Sequence, residues 1–272
     1  MTPEHFTLDF ETKAKDKSMA EHAGLEPWRR RQGKAEIMSC DIRKPDGSIL
    51  QIVNDEQSLF TYRLKAAIAE MKGHVCWAHN ATFDVAWAIA DLQPERCGVI
   101  PPEILDVKWR DTGLLTKWLI NGQLAEKTHF GMSLANLVKT FLPNHPDTPS
   151  FLEMKAQGVK AGENQAYWLE RGTMDVIMTH ALAMHLLPKV PVEMRTGLIT
   201  EFDCIIPVAN SWINGFKINE KILQENHDFY VSAKSRIAKE LGVTEALFSS
   251  PKQLGKLLFS DMELTPHSQT PS

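Results

Sequence analysis

Asp9 and Glu11, within Leu8-Asp9-Phe10-Glu11-Thr12, place the hardest constraint on what this chain can fold into. His5 to Glu11 has the pattern of a β-strand, and strand alternation puts both carboxylates on one face and Phe10 on the other. Neither acid is a good strand former, and like charges on one face repel. Taken alone, Asp-x-Glu suits a solvated strand edge. In an interior strand something positive must sit between the two. Two oxygen ligands on a rigid strand suit a hard divalent cation such as magnesium. Which holds depends on whether further carboxylates arrive later in the chain.

At 272 residues there is room for one large domain, or one with a smaller companion. A hydrophobic content of 43% and a charged content of 24% are those of an ordinary globular protein. The net charge of −4 gives no global attraction to nucleic acid, so any such contact must come from a local patch. The four cysteines, Cys40, Cys76, Cys97 and Cys204, form no Cys-x-x-Cys pair and read as reduced thiols of a cytosolic protein without a zinc site. There is no basic-then-apolar leader and no apolar run of membrane-spanning length, so no membrane partner is expected.

Along the chain, Lys13 to Lys17 and Pro27 to Arg31 are two basic segments, expected as loops. They suit either a phosphate backbone near a metal site or a solvated surface. Ala35 to Ile42 and Ile49 to Val53 read as strands, joined by the turn Lys44-Pro45-Asp46-Gly47. Ser58 to Met71 carries a helix face, and His74 to Ala78 suits a short buried parallel strand. Asn80 is a candidate N-cap that would put Asp84 in the opening turn of a helix, where backbone N–H groups favour a carboxylate. Asp111-Thr112 begins another helix, and Ser133 caps a helix from Ala135 to Leu142, followed by a loop from Pro143 to Ser150. Gln165 to Leu187 is a long helix with Asp175 at its middle and Val176, Ile177, Ala181, Met184 and Leu187 as its apolar side. A mid-helix Asp against an apolar face wants a partner or a metal.

After Pro188 and Pro191 only helical patterns follow. One runs through Leu198, Phe202, Ile205, Ala209 and Trp212 to Asn214-Gly215. A second is capped by Asn219, and a third starts at Ser250-Pro251. The polar end, Thr265 to Ser272, is expected to fray. A boundary near residue 190 divides 1–190 from 191–272.

The order Asp-x-Glu on a first strand, Asp opening a helix and a late Asp within a helix resembles the DEDD exonuclease superfamily. More specifically it resembles the 3′–5′ proofreading domain of family A DNA polymerases of bacteriophage type. The match is carried by Leu8 to Thr12, by Asn80-Ala81-Thr82-Phe83-Asp84, and by Asp175-Val176 with Thr179; Asp111-Thr112, His129 and Ser133-Leu134 follow in the same order. Arg195 to Leu223 and Ser249 to Phe259 look like the start of the polymerase region. The resemblance implies an α/β fold, a ribonuclease-H-like mixed sheet flanked by helices, with an all-helical C-terminal segment.

It also implies two-metal hydrolysis of the terminal phosphodiester. Asp9, Glu11, Asp84 and Asp175 would be ligands and catalytic residues for two Mg2+ or Mn2+ ions, with Thr12 and Asn80 touching the substrate strand. The implied partners are a single-stranded DNA 3′ end and a separate palm-and-fingers polypeptide. The implied location is the cytoplasm, a host cell's if the protein is phage-encoded.

One position departs from the pattern. The family places a tyrosine four residues before the late Asp, where this chain has Arg171. The other DEDD subtype places a histidine five residues before it, where this chain has Glu170. Tyr167 lies eight residues before Asp175, roughly 12 Å along a helix axis. Arg171 cannot act as a base, but it can clamp a phosphate or pair with Asp175 and compete with metal. The expectation is an active but slow nuclease. Its rivals are a nuclease-impaired domain that binds the primer strand and scaffolds a polymerase, and an RNA-trimming DEDD enzyme.

Overall fold

A computed structural model, describing residues 4–15, 26–94, 99–120, 131–145 and 165–265, puts the acid-bearing strand at the centre of a five-stranded sheet. Strand β1 (His5–Ala14) pairs antiparallel with β2 (Ala35–Arg43), which pairs antiparallel with β3 (Ile49–Val53). On its other side β1 runs parallel to β4 (Val75–Ala78), which runs parallel to β5 (Lys108–Asp111). The order across the sheet is β3-β2-β1-β4-β5. Phe6, Leu8 and Phe10 sit in the hydrophobic core, while Asp9 and Glu11 point to the other face. This is the expected mixed sheet flanked by helices. Strand β5 was not anticipated, because Lys-Trp-Arg-Asp is three parts charged and only Trp109 and Asp111 are buried.

The helices follow in order: α1 (Trp28–Arg31), α2 (Gln57–Glu70), α3 (Ala81–Leu92), α4 (Pro102–Leu105), α5 (Thr112–Ile120), α6 (Leu134–Phe141) and α7 (Gln165–Leu186). Ser133 caps α6 as expected, accepting from the Asn136 N–H at 3.4 Å. The buried stripe of α7 runs through Val176, Thr179, Ala183 and Leu186. Of the expected apolar positions Val176 is buried, while Ile177, Ala181, Met184 and Leu187 are half-buried, so the helix is turned partly from the expected phase. A helix with apolar residues almost all round does not fix its own phase; its neighbours do.

Asp111 holds the parallel half of the sheet to its helices. Its Oδ1 accepts from the N–H groups of Asn80 (3.3 Å), Gly113 (2.6 Å) and Leu114 (3.2 Å), and its Oδ2 from that of Ala81 (2.9 Å). One carboxylate therefore satisfies orphan donors at the start of both α3 and α5. Asn80 stands at the N-cap position of α3, but its side chain makes no capping bond there and its backbone is left-handed, with φ of 65°. The expected Asn80 cap is thus replaced by Asp111, brought from the neighbouring strand. His79 ties the same corner: its Nε2 donates to the Met132 carbonyl at 2.9 Å, and its Nδ1 lies 2.9 Å from the Thr112 hydroxyl.

The chain separates into two compact units, Met1–Gly215 and Phe216–Ser272. The first continues past residue 190 because α3 is buried nearly all round and needs cover on the side away from the sheet. That cover comes from α9 (Ile205–Asn214), through Ile205, Ala209 and Ile213, with Trp212 against Phe83 (6.3 Å) and Trp28 (6.2 Å). The expected single helix over Leu198 to Trp212 is two, α8 (Val192–Asp203) and α9, joined at Cys204. Pro207 lacks the N–H that would bond back to Asp203. Gly197 lets α8 lie against the Trp118 ring, where a side chain would collide.

The second unit is built on α10 (Glu220–Leu241). It is capped by Asn219, which accepts from the Ile222 N–H at 3.2 Å, and ends at Gly242 with φ of 67°. A shorter helix, α11 (Pro251–Lys256), starts at Ser250-Pro251 as expected. The second unit exposes Phe216, Ile222, Leu223, Phe229 (67%) and Tyr230 (69%). Among the described residues no helix is long and apolar enough to cross a membrane. Cys40, Cys76 and Cys204 are free thiols. Cys97 and His129 lie outside the described residues, as do parts of the segments Lys13–Lys17, Pro143–Ser150 and Thr265–Ser272.

Replacing Asp111→Ala should strand the helix-start donors of α3 and α5 at once, the Ala81 N–H among them buried, and lower the unfolding free energy by about 3 kcal/mol. Asp111→Asn should recover part of the loss. Chemical denaturation of the three proteins measures this; an Ala variant within experimental error of wild type would mean the shared cap contributes nothing.

Candidate functional site

Asp9, Glu11 and Asp175 each present a carboxylate oxygen, and these atoms lie within 4.8 Å of one another. Two come from alternate positions of β1 and one from the middle of α7, which packs across β1 and β2. Asp84 lies in the first turn of α3, is buried, and accepts from the Phe10 N–H at 3.2 Å. Phe10 is the residue between Asp9 and Glu11, so the fourth acid is anchored to the backbone of the strand that carries the first two. The expected convergence therefore takes the form of a cluster of three acids with Asp84 fixed beside it.

The electrostatics follow from crowding. Burial, then the charge of Asp175, pushes the Asp9 carboxyl well above the usual range. Burial, then Asp9, does the same to Glu11. Asp84 is raised by burial and by Asp9, against which the Phe10 N–H acts. Asp175 is raised by burial although Arg171 opposes it. Oxygen-only donors whose negative charge is costly to keep are what a hard divalent cation fits.

Arg171, one helical turn before Asp175, points into the cluster. Its Nε lies 3.4 Å from Glu11 Oε1 and 3.3 Å from Asp175 Oδ2, so the expected i,i+4 pair with Asp175 is present and extends to Glu11. The guanidinium also lies 5.8 Å from the centre of the Trp168 ring, against which Tyr167 packs edge-on at 5.9 Å. Burial alone would weaken the Arg171 cation, but Asp175, Glu11 and Asp9 outweigh it and raise its pKa. Glu170 is exposed.

A fifth acid, Asp41, was not singled out from the sequence. It stands directly opposite Asp9 in the β1–β2 ladder, so both side chains share one face. Its Oδ1 accepts from Gln51 Nε2 (2.7 Å) and Thr173 Oγ1 (3.1 Å), and Gln51 Nε2 also donates to the Leu169 carbonyl (2.8 Å). Its Oδ2 is buried against Gly172, where any side chain would collide with the carboxylate. This clamp fixes α7 to β2 and β3 and so sets the phase that aims Arg171 and Asp175 at β1. The only signal in the sequence was one charge inside an apolar strand, Ile37 to Ile42. Its direction depends on ladder register, which the sequence does not state.

Thr12 follows the irregularity in the β1–β2 register between Glu11 and Thr12 and is half-buried at the end of the site. Asn80 is exposed at the carboxyl end of β4. The basic segments are engaged by the protein's own acids. Lys13 and Lys15 pair with Glu36 (3.2 and 3.3 Å), Arg30 with Asp91 (2.9 Å) and Arg29 with Glu26, while Arg31 donates to Asn214 (2.8 Å).

No protein-family model matches the chain, and no curated protein does. Among solved structures it is similar to NrnC of Brucella melitensis with bound Mg2+, at 17% identity and a TM-score of 0.51 over 79% of this chain and 87% of that one. It is also similar to the POL domain of Pol1 from M. smegmatis in complex with DNA primer-template and dNTP, at 17% identity and a TM-score of 0.59 over 99% of this chain and 39% of that one. The fold is ribonuclease-H-like. At this identity the likeness is one of architecture, and the POL-domain alignment runs through both units.

The raised carboxyls give the metal-free protein a distinctive pH dependence. Between the ordinary carboxylate range and the raised values, the folded chain keeps protons that the unfolded chain has lost, so stability falls as pH rises through that window. Asp41, raised by burial from 3.8 to about 6, contributes about 3 kcal/mol of that fall. In EDTA the melting temperature should therefore be higher at about pH 5 than at about pH 7.5. Millimolar Mg2+ or Mn2+ should narrow the gap by raising the higher-pH value. Equal melting temperatures at the two pH values, unmoved by metal, would contradict the buried acid cluster.

Proposed function

We propose that this protein is a 3′–5′ exonuclease that removes nucleotides from DNA 3′ ends by two-metal phosphodiester hydrolysis. It would form the proofreading part of a family A DNA polymerase, as a fragment or as a split subunit. The observation that carries this is the meeting of Asp9, Glu11 and Asp175 oxygens within 4.8 Å, with Asp84 anchored to Phe10. Divalent Mg2+ or Mn2+ in such a site supplies an activated water and stabilises the leaving 3′-oxygen. In this reading Asp9, Glu11, Asp175 and Asp84 would hold the ions, with Asp9 contributing to both, Glu11 and Asp175 to one and Asp84 to the other. Thr12 and Asn80, at the end of β1 and after β4, would touch the terminal nucleotides. Arg171 is the cation nearest the cluster and the candidate to meet the scissile phosphate bidentately.

NrnC with bound Mg2+ and the DNA-bound POL domain support a nuclease and polymerase-related setting. The exposed apolar side of α10 fits a chain that docks on a separate palm-and-fingers polypeptide. The second reading is a nuclease-impaired domain that binds the primer strand. It is favoured by Arg171, which pairs with two of the three clustered acids and replaces the family's tyrosine.

A 3′-labelled single strand incubated with Mg2+, with and without EDTA, separates the two. Stepwise shortening from the 3′ end is expected, abolished by EDTA and reduced at least about 100-fold in Asp9→Ala. DNA should be preferred over RNA of the same sequence. Arg171→Tyr should be faster than wild type, because at rest Arg171 pairs with Glu11 and Asp175 and competes with metal for them; a slower variant would mark Arg171 as a phosphate clamp instead. A strand that stays intact in Mg2+ but is still bound would give the scaffold reading the field.

A further inference from the structure

We propose that Arg171 is the resident counter-ion of the acid cluster, so that a divalent cation binding Glu11 and Asp175 must displace it. The inference rests on the metal-centre reading above and says what sets the affinity of that centre. Both oxygens facing Arg171 Nε, Glu11 Oε1 at 3.4 Å and Asp175 Oδ2 at 3.3 Å, belong to carboxylates of the three-acid set. Arg171 is tethered one helical turn from Asp175, with only 22% of its side chain exposed, so it stands where an incoming ion must go.

An arginine cannot vacate the position by losing its proton. It has to turn away from the two carboxylates, and its contact with the Trp168 ring, 5.8 Å from the guanidinium carbon, is one it already makes and can keep as it does so. Until then it offsets the repulsion among Asp9, Glu11 and Asp175 that would otherwise strain the junction of α7 with β1. Metal-free stability and metal affinity are therefore linked with opposite signs through one side chain. Removing the guanidinium weakens the empty fold and leaves the acids free for metal.

The opposite signs make the test. The full-length wild type, Arg171→Gln and Arg171→Lys are titrated with MnCl2 by calorimetry and melted in EDTA. Arg171→Gln should bind Mn2+ about tenfold more tightly than wild type and melt several degrees lower in EDTA. Arg171→Lys should fall between, because an ammonium keeps the charge but lacks the planar guanidinium whose Nε faces both carboxylates. A residue that only packs would lower stability without tightening Mn2+ binding. Equal or weaker Mn2+ binding in Arg171→Gln, or an unchanged melting temperature in EDTA, overturns the inference and leaves the cation site standing. Absence of Mn2+ binding in wild type and variants alike would remove the cation site, and the proposed function with it. If Arg171→Gln does not fold, the lysine variant decides: tighter Mn2+ binding with a lower melting temperature supports the inference, and wild-type values overturn it.

Discussion

The structure around β1 is organised by the mutual repulsion of buried carboxylates. Carboxylate oxygens of Asp9 and Glu11, on alternate residues of the strand, lie within 4.8 Å of each other. At an effective dielectric of about 20, two full charges at that separation repel by about 3 kcal/mol, before Asp84, Asp175 and Asp41 are added. A helix cap or a surface ion pair is worth about 1 kcal/mol or less, so no local device of that kind offsets the cluster. What offsets it is a combination: protons held by raised carboxyls, the Phe10 N–H on Asp84, and the Arg171 guanidinium between Glu11 and Asp175. The last two act from the backbone of the strand and from α7.

The rest of the first unit keeps those elements in place. Parallel pairing of β1, β4 and β5 brings their carboxyl ends to one side, and Asp111 ties the starts of α3 and α5 to that end. Helix α3, which delivers Asp84, is buried nearly all round, and its outer side is closed by α9. The helices at 192–214 are thus part of the scaffold of the site, although their sequence pattern alone groups them with the helical segment that follows.

On the opposite side, α7 is fixed by polar contacts as much as by apolar packing. Gln51, Asp41 and Thr173 form a buried clamp, and Gly172 is the one residue that lets the helix approach closely enough to close it. The clamp sits one residue from Arg171 and two from Asp175, so small changes in it translate directly into the position of both.

Local pattern was enough for much of this protein. The alternation in Leu8 to Thr12 put Asp9 and Glu11 on one face, the helix start after Asn80 placed Asp84 in a first turn, and the spacing of Arg171 and Asp175 allowed their pairing as one of two roles for the arginine. Such features depend on residues a few positions apart, where strand and helix periods are decisive. The tertiary structure alone decided what depends on distant partners. It paired Asp41 with Asp9 through ladder register, replaced an Asn80 cap by Asp111 from the next strand, turned α7 to its working phase, and drew α9 onto α3 and α8 onto α5 and β5. No period in the sequence encodes these. They follow from which surfaces must be covered and which charges must be balanced once the elements meet.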